Sequence, residues 1–95
     1  MNNNYNDVLN YIALSMPNII PNDDKWYTIK YRYTYKLRIR KPSSFDNYVD
    51  VVARVTLFCN DMVLMDCLIT VDTDLNKLCE KIKKKIITNE INGKD

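Results

Sequence analysis

Apolar positions along this chain change their period twice. At the start, Tyr5, Val8, Leu9, Ile12 and Met16 recur at three- and four-residue spacing, as on one face of a helix, and Pro17 supplies a stop. This predicts a helix over 4–16. The segment 17–24, "PNIIPNDD", reads as a proline-bounded connector, with Ile19 and Ile20 tucked against the core. From 26 to 39 the period becomes two. Lys30, Arg32, Lys36, Arg38 and Arg40 take one set of alternate positions, and Tyr27, Ile29, Tyr31, Tyr33, Tyr35, Leu37 and Ile39 take the other. Such alternation predicts a strand with one cationic and one tyrosine-rich edge. Fully extended, it would span about 45 Å, whereas a globule of this size measures about 30–35 Å across. The strand must therefore bend, end early, or project as an arm that a second chain could cover.

The segment 41–48, "KPSSFDNY", interrupts the pattern, and two further alternating runs follow. Val49, Val51, Ala53, Val55 and Leu57 form one apolar edge, and Val63, Met65, Cys67, Ile69 and Val71 form the next. Both edges reach one core if a three-residue loop, Cys59-Asn60-Asp61, pairs Phe58 with Met62. An Asn or Asp there can take the left-handed conformation such loops need. This register sets Arg54 directly opposite Asp66. The period then returns to that of a helix at Leu75, Leu78, Cys79, Ile82 and Ile86, with Asp72 or Thr73 as the cap and a frayed tail from about 88. The expected fold is α+β: a three-stranded antiparallel meander with an N-terminal and a C-terminal helix packed on one face (α-β-β-β-α), as a single domain over 1–95.

Composition narrows the class. With 95 residues, 46% of them apolar, there is material for one core and no second. The start, "MNNNYND", has no positive or apolar leader region, and nowhere do eighteen apolar residues run together, so the expected location is cytoplasmic, away from any membrane. Cys59, Cys67 and Cys79 are odd in number and lie in apolar surroundings, as reduced, packed thiols do. Their spacing matches no zinc pattern, and the chain has no histidine. Abundant Asn, Ile, Lys and Tyr suggest AT-rich coding, as in low-GC bacteria, viruses and mobile elements.

A net charge of +2 conceals segregation by element. Positions 25–41 hold cations and no acid; positions 42–76 hold Asp46, Asp50, Asp61, Asp66, Asp72 and Asp74 against Arg54 alone; Lys77, Lys81, Lys83, Lys84 and Lys85 follow. If the tyrosine edge faces the helices, the outer sheet face combines Lys30, Arg32, Lys36, Arg38 and Arg40 with Val52, Arg54, Phe58, Met62, Leu64 and Leu68. A basic strand also discourages edge-to-edge aggregation, and neighbouring cations about 6.8 Å apart repel by only about 0.6 kcal/mol in water. The adjacent apolar residues favour a contact surface, and Arg and Tyr commonly anchor interfaces.

Catalytic and cofactor motifs do not emerge. "DTDLN" opens like a calcium loop, but Lys77 stands where glycine is needed and Lys83 where glutamate is needed. Asp23-Asp24 lies in the connector, no histidine can complete a triad, and the lone Gly93 cannot build a phosphate cradle. The lysines at 81–85 suggest phosphate contact, but they suit equally a solvated helix end that compensates the dipole, which is the favoured reading. The order helix, three strands, helix is similar to that of double-stranded-RNA-binding domains. Those domains carry their basic cluster at the start of the second helix and a histidine-bearing strand loop; here the cluster comes late and the loop is "CND".

The expected function is non-enzymatic, with no cofactor and no metal. In the first reading the chain is a protein-binding modulator that meets an acidic protein or nucleoprotein partner through the open sheet face. By type it is similar to the inhibitors that phages and mobile elements direct at host machinery, anti-CRISPR proteins among them. Phe58, Leu64 and Leu68 would form the desolvated centre, and Lys30, Arg32, Lys36, Arg38 and Arg40 would steer. A homodimer through that face or through the long first strand is a variant. In the second reading the basic strand binds nucleic acid, with tyrosines or Phe58 stacking on bases. A sequence pI near 8.4 is below the value of about 9 typical of phosphate-binding domains.

Overall fold

The computed structural model describes residues 3–22, 26–42 and 50–92. Asp23-Asp24, most of the interruption before the second run, Val49 and Gly93 lie outside them. Helix α1 spans Tyr5–Ser15. The Asn4 side chain accepts from the Asp7 N–H at 2.9 Å, while the Asp7 carboxylate accepts from the Asn4 N–H at 3.0 Å. This reciprocal box satisfies donors that the first turn would leave open. Val8 and Ile12 are fully buried beneath the helix.

Among the described residues, the sheet is an antiparallel meander of five strands in chain order, β1 Ile19–Pro21, β2 Trp26–Lys30, β3 Thr34–Arg40, β4 Val51–Cys59 and β5 Met62–Thr70. The α+β class agrees with the sequence reading; the count of three strands does not. Part of the expected connector is the short edge strand β1, in which Ile19 packs on the core and Ile20 is exposed. The expected strand over 26–39 is a hairpin. Lys30 pairs with Thr34 across a turn made of Tyr31, Arg32 and Tyr33, in which the Tyr31 N–H donates to the Tyr33 carbonyl at 3.0 Å. A three-residue turn keeps odd positions opposite odd ones, Ile29 against Tyr35 and Tyr27 against Leu37. The hydrophobic alternation therefore passes through the reversal unbroken, and the sequence period gives no sign of it.

Between β4 and β5 the turn has two residues, Asn60 and Asp61, with φ of 50° and 67°. Both occupy the left-handed region, as a type I′ hairpin turn requires. Cys59 thus pairs with Met62, and Phe58 with Val63. Continued without a break, that register would turn the apolar edge of β5 outward. An extra residue at Leu64 resets it, so that Leu57 meets Met65, Val55 meets Cys67 and Ala53 meets Ile69. The expected pairs Phe58–Met62 and Arg54–Asp66 are accordingly not opposite one another. Thr56 faces Asp66, Arg54 faces Leu68, and Met62 shares the face of Cys59.

Helix α2 spans Leu75–Asn92. Its cap is Asp74, whose Oδ1 accepts from the Asn76 and Lys77 N–H groups, in place of the expected Asp72 or Thr73. The residues from 88, expected to fray, continue the helix to Asn92. Both helices cover the same sheet face. Val8, Ile12 and Ile82 meet Ile29, Tyr35, Leu37, Ile39, Val55 and Leu57, all at 0% exposure. The tyrosine edge thus faces the helices, and the cations of β2 and β3 face away. With five strands, the element-order likeness to double-stranded-RNA-binding domains ends at the helices.

Candidate binding face

Three rows of side chains cross the face away from the helices. Thr28, Lys36 and Phe58 form one; Trp26, Arg38, Thr56 and Asp66 the second; Arg40, Arg54 and Leu68 the third. Each row is a chain of directly opposed residues, so members on adjacent strands stand side by side.

The second row begins with an aromatic and cationic cluster. The Arg38 guanidinium carbon lies 5.2 Å from the Trp26 ring centroid, and the Trp26 and Phe58 rings are 5.6 Å apart at a tilt of 39°. This spacing suits cation–π and tilted aromatic contact. Arg38 Nε is shielded from solvent and has no hydrogen-bond partner among the described residues. Beside the cluster opens a cleft of about 450 Å³ lined by Trp26, Thr34, Lys36, Phe58, Asn60 and Asp61. It combines an apolar wall with one ammonium group and one carboxylate.

Asp66 is the only acid among the described outward strand positions. Arg54 grips it twice, Nε to Oδ1 at 3.0 Å and Nη2 to Oδ2 at 2.7 Å, and the Thr56 hydroxyl donates at 3.0 Å. The Arg54 bonds hold the Asp66 carboxyl below the usual carboxylate range; burial opposes them, and Thr56 and the Arg40 charge add to them. The acid is thereby occupied with Arg54, which stands opposite Arg40, and Lys30, Lys36 and Arg38 give the rest of the face a positive surplus.

Of the residues singled out from sequence, Lys30, Lys36, Arg38, Arg40, Phe58 and Leu68 lie on this face. Arg32 stands apart in the β2–β3 turn, its guanidinium carbon 5.5 Å from the Tyr33 ring centroid. Leu64, at the register reset, packs partly against the core. Trp26 was missed as a site residue, although it shares the even parity of the cations. No protein-family model, curated protein or solved structure matches the chain.

Proposed function

We propose that the protein is a small non-enzymatic binding module that docks an acidic surface of a partner protein or nucleoprotein on the outer face of its sheet, as a modulator of that partner. The Trp26–Arg38–Phe58 cluster carries this reading. It supplies an aromatic centre with a guanidinium stacked beside it, and Trp and Arg are among the residues that most often dominate interface energies. Lys36, Arg40 and Lys30 surround it and favour encounter with acids. An inhibitor carried by a phage or mobile element fits the AT-rich composition.

The nucleic-acid reading loses its tyrosines. Among the described residues, Tyr35 is fully buried, Tyr27 and Tyr33 pack against the core, and the exposed Tyr31 sits in the β2–β3 turn, so Trp26 and Phe58 are the strand rings on the outer face, already engaged with each other and with Arg38. Tagged protein incubated in lysate with and without nuclease separates the readings. A partner retained after nuclease and lost from the Lys36→Glu/Arg38→Glu variant supports protein docking here. Loss of every partner on digestion supports nucleic acid, and full retention by the folded double variant overturns the assignment of this face.

A further inference from the structure

The two edges of the sheet are unlike. β1 is three residues long and carries Pro21, both of which discourage further pairing. β5 is nine residues long and has neither proline nor lysine. At its end the Thr70 N–H donates to Thr73 Oγ1 at 2.8 Å, and the Thr70 carbonyl accepts from the Asn3 side chain at 3.3 Å. Both Thr70 groups therefore point off the sheet. Alternation along an antiparallel strand turns the N–H and C=O of Leu68 and Asp66 the same way. No bond from either to a further segment occurs among the described residues. Thr70 is closed by its own chain; Leu68 and Asp66 are left as a short open ladder.

A channel of about 290 Å³ runs along this edge, between Cys67, Leu68 and Ile69 on β5 and Lys77, Leu78 and Lys81 on α2. Asp74 also borders it, with its Oδ1 already accepting the two amides at the helix start. Lys77 and Lys81 are one helical turn apart and overhang the strand, and neither forms an ion pair among the described residues.

We propose that this channel accepts one extended acidic segment of a partner protein as a sixth strand, paired through Asp66 and Leu68. On the helix side its carboxylates meet Lys77 and Lys81, with their aliphatic stems over Cys67 and Leu78. On the other side its alternate residues, apolar ones, lie beside Leu68. Main-chain bonds supply the anchoring and the alternation supplies the selectivity. A second copy of this chain fits poorly. Antiparallel pairing of two β5 edges would place both α2 helices on the same sheet face, lysine row against lysine row. This surface is separate from the Trp26 cluster, and the two proposals stand or fall independently.

The test uses the peptide Ac-Glu-Val-Glu-Val-Glu-Val-NH2, followed by nuclear magnetic resonance of the whole chain. Expected are shift changes along β5 and slowed exchange of the Asp66 and Leu68 amides. N-methylation at alternate peptide positions should abolish binding. The Lys77→Glu/Lys81→Glu variant, altered only at exposed lysines, should bind about tenfold more weakly and should prefer the Lys-Val counterpart. Absence of binding, binding indifferent to N-methylation, or concentration-dependent protection of the same amides without peptide would each overturn the proposal, the last in favour of self-pairing.

Discussion

The Glu90 carboxylate accepts the Tyr35 hydroxyl proton at 2.7 Å, joining the last turns of α2 to the middle of the sheet. The same carboxylate accepts the Arg32 and Tyr33 N–H groups at 2.8 and 3.0 Å, so one side chain closes the β2–β3 turn and anchors the helix end. Burial pushes the Glu90 carboxyl up, but the Tyr35, Tyr33 and Arg32 hydrogen bonds and the Arg32 charge outweigh it and hold it below its ordinary value of 4.5. Because the folded value is depressed, the stabilisation is fully present above pH 4.5 and is lost as pH falls through the lowered value. In Glu90→Gln, the Arg32 and Tyr33 amides should exchange at least severalfold faster at neutral pH. The gap to wild type should close in acid, and a gap unchanged across that range would contradict the assignment.

Asp66 should behave similarly at smaller scale. Its side chain and that of Arg54 are 34% and 32% exposed, so solvent screening limits the pair despite its double contact. Asp66→Asn should cost about 0.5–1 kcal/mol in denaturant unfolding at low salt, and less in high salt. The effect should be present above pH 3.8 and fade below it, because this carboxyl too is held low in the fold. Replacement also removes the Asp66 charge from beside the opposed Arg40 and Arg54, so Arg40→Gln in the same background should recover part of the loss.

The Asn60–Asp61 turn offers a test of backbone geometry alone. With φ at 67°, Asp61 occupies a region glycine enters freely. Asp61→Gly should raise stability by about 0.5 kcal/mol, whereas Asp61→Val should lower it by more than about 1 kcal/mol. Equal midpoints for the two variants would contradict the turn type.

The thiols should differ in reactivity. Cys59 and Cys79 are 4% and 1% exposed, whereas Cys67 is half-buried in the channel beside β5. Burial pushes the Cys67 and Cys79 thiols up, with Lys81 and Lys83 respectively opposing it, so neither is an activated nucleophile. At neutral pH a thiol reagent should modify Cys67 slowly, and Cys59 and Cys79 only on unfolding. Rapid modification of Cys79 in the native protein would contradict its burial.

What the sequence made legible was parity. Alternation set Tyr35, Leu37 and Ile39 on one face and Lys36, Arg38 and Arg40 on the other; that the first set lies inside is a finding of the structure. Helical spacing located both helices, and the aspartate-asparagine pair marked the tight turn. Events that preserve parity left no trace. The hairpin at Tyr31, Arg32 and Tyr33 reverses the chain without shifting its faces. The short turn and the extra residue at Leu64 compensate each other, so the expected facing of most of β5 held while its partners moved. Arg54 still reaches Asp66, diagonally. Glu90 was illegible because nothing in its neighbours announces the turn it serves, and its place near the end of the sequence put it in the tail expected to fray. Trp26 was legible by parity, since it shares the even positions of the cations; it stands opposite Arg38.

Strands that pair only with their neighbours in the chain give the meander a simple folding economy. The β2–β3 and β4–β5 hairpins can zip from their own short turns with little loop to close, whereas the contact of α1 with α2 joins segments from far along the chain. The topology thus sets local strand pairing apart from the long-range docking of the helices. Until that docking is complete, the surface carrying Ile29, Leu37, Val55 and Leu57 stays wet, and it is then that the chain is most open to misassociation.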